Sequence, residues 1–480
     1  MNRLQDLRRE ALAGLTTSFA MVPEVVGFAF VLGVNPRAGL IAAFVVGLIT
    51  ALLGGRPGMI SGGAGSVAVV ATALVAGKGP DFLFLAVALM GVVQIAVGLL
   101  KWGRFISLVP HPVMLGFVNG LAIVILLAQL DQFKVGGHWM QGTPLFMMLG
   151  LVALTAAISA LAPKVIKAVP GSLVAIVVVS LLAMLLKLPT RLVGDLATVH
   201  GPFPLPHLPS VPYTLDTLKA VLPVALTMAA VGLTESLLTL GLVDELTDTH
   251  GKPDRECVGL GVANVAAGLF GGMGGCAMIG QTMLNLQSGG RKRLSGIFEA
   301  VSILAFMLVA STLIERIPIA ALVGVMMVVV AQTFAWSSVK QLAKIPRPDA
   351  FVLVLVSAVT VFTNLATAVI VGVVVSALVH AYRHGTHLEV ERLAEDAYQA
   401  DGHLFFGSAQ AFGRSFNVKD DAPEVTVDLT HVRVQDHSAV QALESLVERY
   451  ARAGKSIRFT GLSESCERIV RKAYEHAPMH

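Results

Sequence analysis

The sequence predicts an all-α polytopic membrane protein of fourteen transmembrane segments in two inverted halves, followed by a small cytoplasmic α/β module. Three observations lead there. Hydrophobic residues make up 55% of the chain and charged residues only 14%, against roughly 25% charged in a soluble protein. Apolar runs of spanning or near-spanning length recur from Leu12 to Tyr382. From about Gly385 the composition changes to that of a soluble domain.

The apolar runs centre near Met21, Val46, Val67, Met90, Ile123, Leu154, Val178, Ala230, Val265, Met283, Ala305, Val325, Leu355 and Val373. The first contains Pro23, and the third is a short run after Gly62, Gly63 and Gly65. The tenth is short as well, and glycine breaks it at both ends between Gly271 and Gly296. A Pro-rich connector, Pro189 to Pro212, divides the runs seven and seven. An odd number per half makes the second half enter the bilayer from the opposite side, so two halves of one fold are inverted repeats. The short third and tenth spans then occupy corresponding places, a pointer to a midplane binding site.

With the N-terminus in the cytoplasm, seventeen basic loop residues face inward and seven outward, a positive-inside bias. This predicts a multi-pass protein of the cell inner membrane with both termini cytoplasmic. The membrane domain is expected over 1–383, with repeats at about 10–188 and 215–383, and the soluble module over 384–480. The pI near 9 reflects loop anchors and does not indicate nucleic-acid binding. The first apolar run is too long and interrupted for a cleavable signal. Cys257, Cys276 and Cys466 lack metal or disulfide spacing and read as small packing residues. No Ser/His/Asp constellation points to an enzyme, and no cofactor is expected.

In the tail, 388–393, 402–406, 425–429 and 457–459 read as strands. Ala439–Arg452 has helical spacing with Gly454 placed to end it, and 463–474 reads as a second helix.

The broken spans carry the chemistry. A half-helix over Ala277–Leu286, starting inside the membrane, would turn free backbone N–H groups toward a cavity. The run Ser61-Gly62-Gly63-Ala64-Gly65-Ser66 does the same in the third span. Amides of Ser66, Val67 and Ala68 would face those of Gly280, Gln281 and Thr282. Two such termini sum to roughly one positive charge. Tight packing of small residues is the competing account of these glycines.

At this point the chain resembles the sulfate permease (SulP) anion transporters with a C-terminal STAS domain. The first span, GLTTSFAMVPEVVGFAFVLGVNPRAGL, is similar to the family's membrane-proline signature. VGLTESLLTLGLVDELT in the eighth span and VDLTHVRVQDHSAVQAL in the tail match in kind. The resemblance implies a core of spans 1–4 and 8–11 and a gate of spans 5–7 and 12–14. It also implies alternating access, a small anion substrate, and a STAS module used for homodimer contact or regulation. Nucleobase carriers share the seven-plus-seven fold, but the STAS-like tail argues against them.

Many family members resemble one another in placing Arg at the position of Gln281. A neutral amide here leaves the anion to dipoles and donors, and leaves room for a co-transported cation. Glu24 is the candidate, because a carboxylate at a span centre costs ~2.5–3.5 kcal/mol unless neutralised or hydrated. It is expected to carry a proton with the anion; the alternative is a structural carboxyl bonding backbone freed by Pro23. Phe28, one turn on, is expected to contact the substrate body or to pack in the core. Glu235 and Thr239 lie on one helical face and match in kind a Na⁺ site of bicarbonate-type members, with a core–scaffold hydrogen bond as the alternative. Substrate ligands are thus expected at Glu24, Phe28, Ser66–Ala68 and Gly280–Thr282. Coupling is expected to H⁺ at Glu24, or to Na⁺ at Glu235 and Thr239, with an uncoupled anion exchanger or channel as the further alternative. Sulfate, bicarbonate and small dicarboxylates such as fumarate all fit. Glu299 is expected to pair with a basic loop residue. Ser438, beside Asp436, is either a regulatory phosphosite or a helix cap.

Overall fold

The computed structural model describes residues 3–103, 110–135, 137–165, 169–196, 198–342, 344–363, 365–385 and 388–462. Two compact units divide the chain, Met1–Gly372 and Val373–His480. The break falls earlier than the expected 383, inside the last long helix of the membrane part.

Among the described residues up to 385, fourteen helices have nine or more residues, and each predicted centre falls in one. They are α1 (Arg3–Leu32), α2 (Pro36–Leu53), α3 (Gly65–Lys78), α4 (Pro80–Leu99), α5 (His111–Gln129), α6 (Thr143–Val165) and α7 (Gly171–Leu185). After the connector come α8 (Leu215–Thr247), α9 (Pro253–Leu269), α10 (Ile279–Gln287), α11 (Arg293–Val309), α12 (Ile319–Thr333), α13 (Arg347–Phe362) and α14 (Leu365–Gly385). Six are long and apolar enough to cross a bilayer by length and composition.

Local chemistry sets their ends. Asn35 accepts from the Arg37 N–H at 2.9 Å and Pro36 supplies a pre-set first turn for α2. Thr214 caps α8, and α3 stops where Gly79 turns to φ +95°.

Packing sorts the helices into two groups. In one, α4 lies against α9, α11 against α1 and α2, and α8 against α4. In the other, α5 lies against α13, and α6 against α7 and α12. This is the core-and-gate division that the resemblance implies. The α4–α9 crossing is close because a Cβ on Gly91 would stand 2.4 Å from the Gly261 carbonyl, and one on Gly261 2.6 Å from that of Gly91. Such glycine-lined contact replaces the hydrophobic drive that lipid does not provide.

Between the halves runs a feature periodicity did not reveal. β1 (Ser61–Gly63) pairs antiparallel with β2 (Gly275–Ala277), matching Ser61 to Ala277 and Gly63 to Gly275. The half-helix therefore starts at Ile279, not at the expected Ala277, because Ala277 is committed to the strand pair. A Cβ on Gly275 would sit 1.8 Å from the Gly62 carbonyl, so only glycine allows the strands this close.

One end of the core group is tied by buried charge. Glu10, 4% exposed, accepts from the N–H groups of Arg291, Lys292 and Ser295 at 2.9–3.1 Å and so caps α11. Arg293 donates to the carbonyls of Ala51, Leu52 and Gly54 at the end of α2. Arg56 pairs with Asp244 at 3.0 Å. The basic run Arg291–Arg293 is thus an anchor.

In the second unit, β3 (Glu389–Ala394), β4 (Ala397–Leu404), β5 (Glu424–Val434) and β6 (Ser456–Thr460) form one sheet in that order. β3 and β4 are antiparallel, and β5 is parallel to both of its neighbours. β4 begins before the predicted 402 because Tyr398 and Ala400 alternate inward among polar residues. Helix α15 (His437–Arg452) covers the sheet with its apolar stripe, and Gly454 follows it at φ +71°. Asp436, not Ser438, is its cap: it accepts from Ala439 N–H and from Phe406 N–H, both at 2.9 Å. The expected helix at 463–474 lies outside the described residues.

Candidate functional site

Both half-helices begin without a side-chain cap, at Ala64 for α3 and Met278 for α10. The first amides to find intrahelical partners are Ala68, to the Ala64 carbonyl, and Thr282, to the Met278 carbonyl, each at 3.0 Å. The donors left over belong to Gly65, Ser66 and Val67 and to Ile279, Gly280 and Gln281. The sequence expectation was therefore one residue late on both helices, since the first bonded amide is the fourth one.

These two ends meet at a cavity of about 220 Å³. Glu24, Phe28, Ser66, Glu235, Gly280 and Gln281, all expected site residues, line it together. Four others do not. Val67 and Ala68 are fully buried behind α3's first turn. The Thr282 hydroxyl is occupied by Ile60, accepting from its N–H at 3.0 Å and donating to its carbonyl at 3.3 Å. The Thr239 hydroxyl donates back to the Glu235 carbonyl at 2.7 Å, and Thr239 is not among the residues lining the cavity. Ser438 lies in the other unit, at the start of α15.

The carboxylates are held by donors. Gln281 Nε2 donates to Glu24 Oε2. On Glu235, a single oxygen, Oε2, accepts both the Ser66 hydroxyl and the Cys276 thiol, the latter at 2.8 Å. Cys276 is thus more than a packing residue. Behind β2, Asn264 clamps Gly275 with its side-chain amide, accepting its N–H at 2.9 Å and donating to its carbonyl at 3.0 Å. No Lys, Arg or His is among the described residues lining the cavity.

The gate group supplies what sequence reasoning missed: Phe117 and Leu121 from α5, and Val329, Gln332 and Thr333 from α12. Gln332 and Thr333 are polar residues closing an apolar span, a signal that was readable. A second cavity, of about 870 Å³, shares Glu24, Gly280, Gln281, Val329 and Gln332 with the first. It continues along Leu12 and Thr16 of α1, Ser159 of α6 and Ser172 of α7. The shared residues lie where the first cavity adjoins this second one, the vestibule. The vestibule leads toward the end of the membrane domain that carries the basic loops.

The sulfate permease family model matches residues 7–140 and 138–356, and the STAS domain model matches 388–476. YbaR of Bacillus subtilis, provisionally named a sulfate transporter, is 39% identical over 97% of both chains. The bicarbonate transporter BicA of Picosynechococcus is 30% identical over 98% of this chain and 91% of its own. The solved transmembrane domain of a cyanobacterial BicA superposes with a TM-score of 0.68 at 31% identity, covering 76% of this chain and 98% of that one. Murine Slc26a9, an anion transporter solved in the inward-facing state, shares the fold with a TM-score of 0.80 at 17% identity, over 98% of this chain and 88% of its own. The chain belongs to the sulfate permease family and carries a C-terminal STAS domain.

Proposed function

We propose that this protein is a secondary active transporter of a small anion in the inner membrane, working by alternating access with H⁺ symport through Glu24. One observation carries the reading. The cavity faces two helix N-termini and two carboxylates with no basic side chain among its described lining residues. The helix ends favour an anion, yet Glu24 and Glu235 oppose one unless at least one of them is neutralised. A proton taken up with the anion removes the conflict, and its release on the far side restores it. Glu24 suits that role because it lines both the cavity and the vestibule.

Na⁺ coupling is the weaker alternative. At Glu235 the oxygen facing Ser66 and Cys276 already accepts two proton donors, and Thr239 has turned away to the backbone. The relatives named for sulfate and bicarbonate make inorganic anions candidates. The neutral amides of Gln281 and Gln332 and the ring of Phe28 also suit a dicarboxylate such as fumarate. By the positive-inside rule both termini are cytoplasmic and the vestibule is the inward path.

The experiment is uptake of labelled sulfate, bicarbonate and fumarate into proteoliposomes of purified protein under pH and Na⁺ gradients imposed separately. Accumulation driven by an inward proton gradient is expected. Accumulation that follows Na⁺ and ignores pH would overturn the coupling.

A further inference from the structure

Glu299 takes no part in the site above. It lies within α11, is 0% exposed, and neither carboxylate oxygen has a hydrogen-bond partner. The expected pairing with a basic loop residue is not made. Its side chain reaches toward α2 at Gly47, where a Cβ would stand 3.0 Å from Glu299 Oε2 and 3.1 Å from the Ser61 carbonyl oxygen of β1. The bare Cα of Gly47 is what makes room for the carboxyl at this junction. Ser61 is itself 2% exposed, and its hydroxyl also lacks a partner.

An isolated buried carboxylate is far costlier than a buried neutral group, so it is neutralised or paired. The charged groups on the surrounding elements are spent elsewhere. On α1, Asp6 bonds Lys292, Glu10 caps α11 and Glu24 accepts from Gln281. Arg8 is exposed and Arg9 lies against Gly289. On α11, Arg293 holds the α2 carbonyls. On α2, Arg37 reaches the Pro202 carbonyl, and β1 carries no charge. On the short helix Ser311–Glu315, Glu315 is bonded to Val199 and His200. A proton is the neutralising partner that needs no further ligand.

We propose that Glu299 is a proton-binding site inside the core group, its carboxyl donating to the backbone of β1, where the Ser61 carbonyl is the acceptor brought to it. The strand connects this proton to the anion jaws. Ile60, next to Ser61, accepts from Met278 N–H at 2.9 Å and donates to the Thr282 hydroxyl at 3.0 Å. Both partners belong to the start of α10. Losing the proton would place a charge directly behind the strand that positions Gly280 and Gln281, and anion affinity would fall. This site is separate from Glu24, which faces the cavity.

The test is infrared difference spectroscopy on the full-length protein at neutral pH. A protonated-carboxyl band present in the wild type and lost in Glu299→Gln is expected; superimposable spectra would overturn the proposal. Should Glu299→Gln fail to fold, Glu299→Asp is expected to retain the band at a shifted position, and its absence there counts against the site. In proteoliposomes of protein already carrying Glu24→Gln, the half-saturating concentration of sulfate, bicarbonate or fumarate should rise on the alkaline side and become flat when Glu299→Gln is added. An unchanged rise in the double variant would overturn the link to the jaws. Proton-driven accumulation through Glu24 is scored separately by Glu24→Gln, so either idea can fail alone.

Discussion

The side-chain amide of Gln281, in the first turn of α10, donates to the Glu24 carboxylate on α1. The bond joins the start of α10 to the proposed proton carrier, and both residues line the two cavities. On the proposed reading, an anion arriving at Gln281 would act on the same hydrogen bond that responds to the protonation state of Glu24.

Glu24→Gln should leave the fold intact and abolish the response of uptake to an imposed pH gradient, while anion exchange persists. Gln281→Arg should also lose proton-driven accumulation, because a fixed cation beside Glu24 holds it as the carboxylate. Counterflow and net uptake in proteoliposomes separate the two activities.

Ser66→Ala removes one of two donors from Glu235 Oε2. That bond favours the charged carboxylate, which opposes the anion, so the half-saturating concentration should fall. Initial uptake rates against anion concentration measure it.

Gly275→Ala should destroy the β1–β2 pairing, since its Cβ has only 1.8 Å to the Gly62 carbonyl. Loss of monodisperse protein on size exclusion is expected. Gly150→Ala is the control: nothing lies within 4 Å of its Cβ, and the exposed glycine in α6 should tolerate alanine or gain up to about 1 kcal/mol.

The connector after α7 is fastened by Glu315, which accepts from the His200 ring at 2.9 Å and from the Val199 and His200 amides. The His200 side chain, above all, holds the Glu315 carboxyl below the usual carboxylate range. A depressed folded value means that stability is present above the unfolded value and is lost as pH falls through the folded one. Hydrogen exchange at 198–203 should stay slow from neutral pH into the ordinary carboxylate range and quicken below it. Glu315→Gln should be fast throughout and insensitive to acid.

In the STAS unit, buried Asp421 accepts from Tyr398 Oη at 2.7 Å and from Tyr450 Oη, and pairs with Arg392 at 2.9 Å. Asp421→Ala strands two buried hydroxyls, while the exposed Arg392 keeps its bond to the Asp420 carbonyl. Breaking such a cluster costs about 3–5 kcal/mol, which should appear in the full chain as early protease cleavage within 388–462.

Composition and periodicity determined the membrane class, the fourteen helical segments, the split at Pro189–Pro212 and the soluble tail, because burial in lipid writes itself into every residue of a span. Six cavity-lining residues were readable as well, since a polar group or broken helix inside an apolar run has few other uses. The β1–β2 pair was not readable, because three-residue strands of small residues have no period, and Ala277 went to the helix by default. Ala68 and Thr282 were chosen by counting into helices whose first turns only the observed cap residues could locate. Glu10 on α11, Cys276 on Glu235 and Gln332 in the same cavity lining as Gln281 depend on segments far apart in the chain. Glu299 shows the limit best. Its sequence neighbourhood offered three basic partners, but tertiary packing gives Arg293 to the α2 carbonyls and Lys292 to Asp6 and leaves the carboxyl facing Gly47, where the chain has no side chain at all.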